Sequence, residues 1–326
     1  MHTALTRDAK IEVPLICGAM YPCTNPELVA AVSGAGAIGI VQPMSMVYVH
    51  GHDFRRGLGL IRSLTDRPFG VNLIVEKTAR AYEERSKQWL DQSLEAGVRF
   101  FITALGDPRW VVERVHAAGG VVYHDVTERK WADKALAAEV DGLICVNRAA
   151  GGHAGTRSAE ELLETLSPLG KPLVCAGGVG SAEDFVRMLR LGYAGVQMGT
   201  RFIATPECKV HPDYKQAILA ARPDDIVLTD KLSGVPCAII ATPYVKRMGT
   251  RAGFVARMLL KGRRTKRLMR MAYSLSSIWK LRRAALRGTS YKEYFQAGKS
   301  VGGIDAVEPA ADIVRRFAEA LGRAAA

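Results

Sequence analysis

What this chain lacks narrows its class before any motif is read. Its six cysteines, at 17, 23, 145, 175, 208 and 237, form no CxxC pair and no metal-ligand spacing. That disfavours both a disulfide scaffold and a zinc module, and reduced thiols in the cytosol are expected. No uninterrupted apolar run reaches the roughly 18 to 20 residues of a membrane-spanning helix. The start, Met1-His2-Thr3-Ala4-Leu5, has no charged stretch followed by an apolar one, so no signal peptide is expected and the reading is cytoplasmic. Internal repeats and low-complexity tracts are missing as well.

A second absence is local. From Lys246 through Lys292 there is no Asp or Glu against 15 Lys and Arg, while the rest of the chain carries 30 basic and 32 acidic residues. The net charge of +13 therefore sits in one segment. Within it Phe254, Val255, Met258, Leu259, Leu268, Met269, Met271, Leu275, Ile278, Trp279, Leu281 and Leu286 recur at roughly helical spacing. Lys261-Gly262-Arg263-Arg264 breaks the run and Arg287-Gly288 ends it, which describes two or three basic amphipathic helices. Such helices either pack their apolar stripe on the rest of the protein, attract an anionic small-molecule substrate, or rest peripherally on an anionic membrane. The stripe also suits a homodimer surface. Nucleic acid is not expected as a partner, because no recognition motif accompanies the charge.

What is present is a regular alternation. Strand candidates are Glu12 to Cys17, Ala37 to Val41, Phe69 to Ile74, Arg99 to Thr103, Gly120 to His124, Asp141 to Val146, Pro172 to Ala176 and Ala194 to Met198. Helical stretches such as Pro26 to Ser33, Ala79 to Ala96, Arg109 to Ala118 and Lys130 to Ala138 lie between them. The pattern predicts an α/β fold, a (β/α)8 TIM barrel. An open doubly wound sheet is second, since Cys17-Gly18-Ala19-Met20-Tyr21-Pro22 stands where its GxGxxG would follow the first strand. Expected boundaries are a barrel over 1–222, a basic helical insert over 223–292 forming a lid or substrate subdomain, and a returning segment over 293–326.

After the sixth strand the loop Ala149-Ala150-Gly151-Gly152-His153-Ala154-Gly155 places one imidazole among small residues. Glycine lets a flat ligand approach backbone, and His titrates nearest neutrality; a solvated loop His is the plain alternative. Gly177-Gly178 and Gly199-Thr200 follow the next two strands, and the second opens a short helix from Arg201. Backbone N–H groups at such turns bind a phosphate after strands 7 and 8 of a barrel, or the glycines only make tight turns.

Across most of the chain these residues resemble the nitronate monooxygenase family, which is related to the FMN-dependent enoyl-acyl-carrier-protein reductases. The resemblance runs through Val13-Pro14-Leu15-Ile16, Gly18-Ala19-Met20, Leu28 to Gly39, Phe69-Gly70-Val71-Asn72-Leu73 and the Gly-Gly-His-Ala-Gly loop. It continues in Ala176-Gly177-Gly178, in Gln197-Met198-Gly199-Thr200-Arg201-Phe202-Ile203-Ala204-Thr205, and in Ala297-Gly298-Lys299-Ser300. It implies FMN as cofactor, with Ala19 and Met20 against the ring and Asn72 bonded to the ring or ribityl chain. Gly177, Gly178, Gly199 and Thr200 would hold the phosphate, and Gly151, Gly152, His124 and Gln197 complete the cofactor-binding candidates. His153 is the catalytic candidate, accepting a proton from the carbon beside a nitro group or holding the substrate.

Two positions depart from the family's pattern. Cys17 stands where many members have a polar residue, and it reads as a buried small residue. The polar group at the end of the fifth strand is read as His124, which either touches flavin or substrate or caps Asp125. The implied activity is oxidation of an alkyl nitronate with O2 to a carbonyl compound and nitrite. The alternative is an NAD(P)H-dependent FMN reductase acting on an enoyl thioester, carried on CoA or an acyl carrier protein, or on a quinone. A binding protein that docks through its basic insert is the reading from a different class.

Overall fold

In the computed structural model, residues 2–75, 80–232, 235–251, 265–290 and 292–325 are described. Eight short strands close on themselves in chain order, all parallel, with the eighth paired back to the first. They are β1 (Leu15–Cys17), β2 (Ile38–Val41), β3 (Gly70–Ile74), β4 (Phe100–Ala104), β5 (Val121–Val126), β6 (Gly142–Val146), β7 (Leu173–Ala176) and β8 (Gly195–Met198). The expected (β/α)8 barrel is thus the fold, and an open sheet is excluded. All eight strands start one to three residues later than expected; before β1 and β7 stand Pro14 and Pro172, which have no N–H for the ladder. The backbone of Glu12 and Val13 instead donates to the Gly36 carbonyl.

Helices α1 (Ala4–Ala9), α2 (Pro26–Gly34), α3 (Phe54–Leu64), α4 (Arg80–Glu95), α5 (Arg109–Ala117), α6 (Arg129–Leu136), α7 (Ala159–Leu166) and α8 (Ala182–Leu191) accompany the strands. Sequence dictates several of their starts. Ser158 and Ser181 cap α7 and α8, and the side chains of Glu161 and Asp184 return the bond to the cap backbone. Strand residues alternate between two cores. Ile16, Ile38, Ile40, Phe100, Ile102, Tyr123, Ile144, Val174 and Ala176 fill the barrel interior, and Val71, Phe101, Val122, Leu143 and Cys175 face the helices.

α1 is a helix that the strand–helix alternation does not announce. Its Leu5 and Ala9 join the interior cluster, and Asp8 accepts from the Tyr123 hydroxyl at 2.9 Å, so it plugs the amino-terminal end of the barrel. After β8 come α9 (Thr200–Ile203), α10 (Pro212–Ala220), an antiparallel hairpin of β9 (Ile226–Thr229) and β10 (Cys237–Ile240), α11 (Pro243–Met248) and α12 (Thr265–Arg287). The hairpin was not anticipated, because its strands are short and separated by Asp230 to Pro236. α13 (Ala310–Ala325) closes the helix ring against α8 and α2, with the Phe185 and Phe317 rings 5.3 Å apart.

The helical expectation for the basic segment holds in α12, which ends at Arg287 as read, while α11 lies ahead of the apolar positions on which that expectation rested. The expected break at Lys261 to Arg264 and the apolar positions Phe254, Val255, Met258 and Leu259 lie outside the described residues. α12 is tied to the barrel at two points: the Tyr21 hydroxyl donates to the Ile278 carbonyl at 2.9 Å, and the His211 N–H donates to the Ala285 carbonyl at 2.7 Å.

Candidate active site

The carboxyl ends of parallel barrel strands form the face where barrel enzymes build their sites. Here that face has a backbone-built side at β6, β7 and β8. Asn147, directly after β6, organises it: its side-chain N–H donates to the Gly177 carbonyl at 2.9 Å, and its side-chain oxygen accepts from the Ala149 N–H at 2.8 Å. A Cβ on Gly177 would stand 2.5 Å from the Ala150 nitrogen, and the Gly177 φ of +113° already favours glycine. A Cβ on Gly151 would stand 2.9 Å from the Gly298 nitrogen. The Thr200 hydroxyl accepts from the Gly298 N–H at 2.9 Å, and the Ala149 carbonyl accepts from the Lys299 N–H at 2.8 Å. The turns after β6, β7 and β8 therefore meet one another and the returning segment at Gly298. Four stretches of backbone that exclude side chains make a cradle suited to an oxyanion.

β1 completes this side. A Cβ on Gly199 would stand 3.3 Å from the Met20 sulfur, and one on Gly18 would stand 2.9 Å from Cγ of Gln197. Ala19 packs against the interior cluster. Ala19, Met20, Gln197, Gly199, Thr200, Gly177, Gly178 and Gly151 are thus brought to one region. Gly152 pairs with Ala238 of β10 through both its N–H and its carbonyl, so its contribution is to fix the loop before His153 to the hairpin.

The interior supplies the polar side chains. Asn72 is in register with Ile102 and Gln197 with Ile16, so both point inward with those residues. Asn72 Oδ1 and Gln197 Oε1 are buried without a hydrogen-bond partner. Buried polar atoms are ordinarily satisfied, and two inward acceptors left open at one end of a barrel fit a planar ligand that carries N–H donors.

The strand register corrects one expectation. His124 pairs with Thr103 and Leu143, positions that face the helices, so its ring does not face the mouth. Its Nδ1 lies 2.8 Å from the Thr103 hydroxyl. Burial, then Lys134, pulls its pKa down to about 4, which leaves a neutral structural histidine that neither contacts the barrel interior nor caps Asp125. The inward residue at the end of β5 is Asp125, in register with Ile144. Sequence reading passed over it, although the period of two along Val121 to Val126 assigns it the face opposite His124.

Two further motif residues are structural. Cys17 is fully buried and burial holds its thiol well above the ordinary value, as expected for a packed apolar position. Arg201, in the motif after β8, is enclosed in the core and bonds the Ala306 carbonyl at 3.1 Å and the Glu308 carboxylate. It locks α9 to the chain returning from the insert rather than facing the cradle.

His153 stands at the rim, with its side chain exposed. The surrounding walls still remove enough water to lower its pKa below the ordinary 6.5, so the imidazole is neutral at pH 7 and able to accept a proton. Across the mouth Tyr21 is pushed up to about 12 by burial, opposed by Arg282 of α12. That places one guanidinium of the basic segment beside the β1 turn. A cavity of about 550 Å³ lined by Glu12, Val13, Gly34, Ala35, Ala311 and Arg315 opens between α2 and α13, and none of the site residues lines it.

Comparison with known proteins agrees with this geometry. The nitronate monooxygenase family model matches residues 2–319. A Rhodococcus jostii protein named (3aS,4S,5R,7aS)-5-hydroxy-7a-methyl-1-oxo-octahydro-1H-indene-4-carboxyl-CoA dehydrogenase is 30% identical over 260 residues, 78% of this chain and 71% of its own. A nitronate monooxygenase of Pseudomonas aeruginosa is 29% identical over 280 residues, covering 72% of this chain and 78% of its own. The solved structure of FabK from Thermotoga maritima superposes with a TM-score of 0.82 at 26% identity, covering 100% of this chain and 97% of that one.

Proposed function

The chain belongs to the nitronate monooxygenase family and is a flavin-dependent oxidoreductase, and from that premise we propose that it is an FMN enzyme that oxidises alkyl nitronates with O2 to a carbonyl compound and nitrite. The observation that carries the reading is the meeting of the His153 loop, Gly177-Gly178, Gly199-Thr200 and Gly298 at one end of the barrel. The residues fit FMN: the glycine cradle takes its phosphate, and Asn72 and Gln197 offer open oxygens to its ring N–H. Met20 and Ala19 border the ring's place on the β1 side. When bound, FMN would supply the electron-transfer chemistry between substrate and O2.

The chain's own residues do the rest. Where the substrate arrives as the neutral nitroalkane, neutral His153 accepts its α-proton and so generates the nitronate; where it arrives as the nitronate, His153 orients the nitro group at the rim. The loop holding it is pinned by the Gly152 pair with Ala238, so the residue before the imidazole is fixed by two backbone hydrogen bonds. α12, tied to the β1 turn through Tyr21, forms part of a lid over the mouth, and its Arg282 adds positive charge where an anionic substrate enters. A Lewis-acid metal is not required by this chemistry.

His153→Ala tests the base assignment. The variant is expected to retain FMN and lose about 10²- to 10⁴-fold in kcat/KM toward a nitroalkane. Because burial lowers the His153 pKa, the wild-type acid limb should fall below pH 6.5, since the base works only while unprotonated. Unchanged turnover across pH in the variant would remove His153 from the mechanism.

A second reading has its own support. The Rhodococcus relative is named for a CoA thioester, and a phosphate-rich substrate of that kind suits a segment with 15 cations and no acid. On this reading the protein is an NAD(P)H-dependent reductase, and rapid reduction by NADH or NADPH without a nitro compound would favour it.

A further inference from the structure

Asp125 is the interior polar residue that the reading above leaves unused. Its pairing with Ile144 turns the side chain into the barrel, on the same side as Asn72 and Gln197. Oδ1 of Asp125 is buried and has no hydrogen-bond partner. Three open oxygens therefore project from β3, β5 and β8 into one interior. The other buried atoms without partners among the described residues, on His50, Ser86, Gln92 and Arg201, lie outside the strands. An oxygen left unmet in a packed interior costs free energy unless a ligand meets it.

The three groups differ in chemistry. Amide oxygens of Asn72 and Gln197 accept hydrogen bonds. A protonated carboxyl donates one as well as accepting. The imide edge of an isoalloxazine, one N–H between two C=O groups, offers a donor to an amide oxygen and an acceptor to the protonated carboxyl. We propose that Asp125, as the neutral acid, donates a hydrogen bond to a carbonyl oxygen of the flavin ring. This rests on the assignment of FMN to the barrel mouth.

The surroundings favour the protonated acid below about pH 7. Burial alone raises its pKa to about 7. Of the titratable groups on the elements around it, Cys145 on β6 is pushed up by burial and Tyr123 below it on β5 is held far above neutrality. His124 points to the opposite face, where α5 and α6 pack and where Lys134 and Asp107 act on it, and it stays neutral down to about 4. His153 beyond β6 titrates below its ordinary value. β4 presents Ala104 and Ile102 inward, and β3 and β8 present the two amides. Among these groups Asp125 is the one that changes charge as pH rises through 7.

Binding that needs the protonated form is strongest below the pKa and weakens as pH rises through it. Apoprotein titrated with FMN should show a Kd about tenfold higher near pH 8 than near pH 6, the ratio expected from the protonated fraction. Asp125→Asn keeps a donor at every pH and should bind within a few-fold of wild type near pH 6 without that rise. Asp125→Ala should bind more weakly at both. The ionisation of the FMN phosphate is common to the three proteins, and riboflavin, which lacks it, should show the same wild-type dependence. Parallel curves for wild type and the Asn variant, with riboflavin binding flat in pH, overturn the Asp125 role and leave FMN in place. Absence of FMN binding by wild type at either pH overturns this role together with the function it rests on.

Discussion

The two sides of the barrel mouth are made of different material. At β6, β7 and β8 the wall is backbone: glycines stand where a Cβ would collide with a neighbouring main chain, and Asn147 and Thr200 satisfy the polar groups around them. At β3, β5 and the inward face of β8 the wall is side chain, with Asn72, Asp125 and Gln197 each leaving an oxygen open. The first side is rigid and finished, whereas the second is incomplete until something binds. A cradle of that kind fixes where a ligand's anionic end goes, and the open oxygens decide which ring can follow it.

The sharpest way to break the contrast is to fill the cradle. Gly177→Val adds a Cβ 2.5 Å from the Ala150 nitrogen at a φ of +113°. It should weaken FMN binding by more than ~100-fold, about 3 kcal/mol, and lower the midpoint of thermal unfolding. Retained tight binding would mean that the turn after β7 is spacious. A smaller effect is expected on the other wall. Asn72→Ala and Gln197→Ala each remove an oxygen that is unpaired without ligand, so each should weaken FMN by roughly tenfold. Both apoproteins should keep or gain thermal stability, because an unmet buried oxygen is deleted. A stability loss matching the binding loss would show that these amides serve the fold instead.

The smallest effect belongs to the rim. If α11 and α12 act by their charge, kcat/KM for an anionic substrate should fall a few-fold as ionic strength rises and the Debye length shrinks from about 10 Å toward 3 Å. A neutral substrate should show no such trend. Equal salt sensitivity for both would reduce the basic segment to a solvated face packed on the barrel.

The sequence made the barrel legible because each strand is a short apolar run bounded by turn residues, and the His153 loop because six small residues around one imidazole have few other uses. Register was harder to read. Moving one residue along β5 exchanges His124 for Asp125 and inverts which side chain enters the barrel, and both are polar, so hydropathy offers no arbiter. Asn147 follows the sixth strand with no motif to mark it, and its role appears only when β7 is laid beside β6. The hairpin of β9 and β10 escaped because its two four-residue strands carry no periodic signal, yet it is the piece that pins Gly152 and with it His153. Arg201 belongs to the motif after β8 next to Gly199 and Thr200, yet its guanidinium turns away into the core.

The central claim is that this mouth holds a flavin and brings an acidic carbon to it. The direct test is anaerobic rapid mixing of the flavin-loaded protein with an alkyl nitronate, with NADH and with NADPH in turn, following the visible flavin band. Bleaching by nitronate and not by either nicotinamide is the predicted result. Bleaching by a nicotinamide cofactor with no response to nitronate would contradict it and assign the same architecture to a reductase.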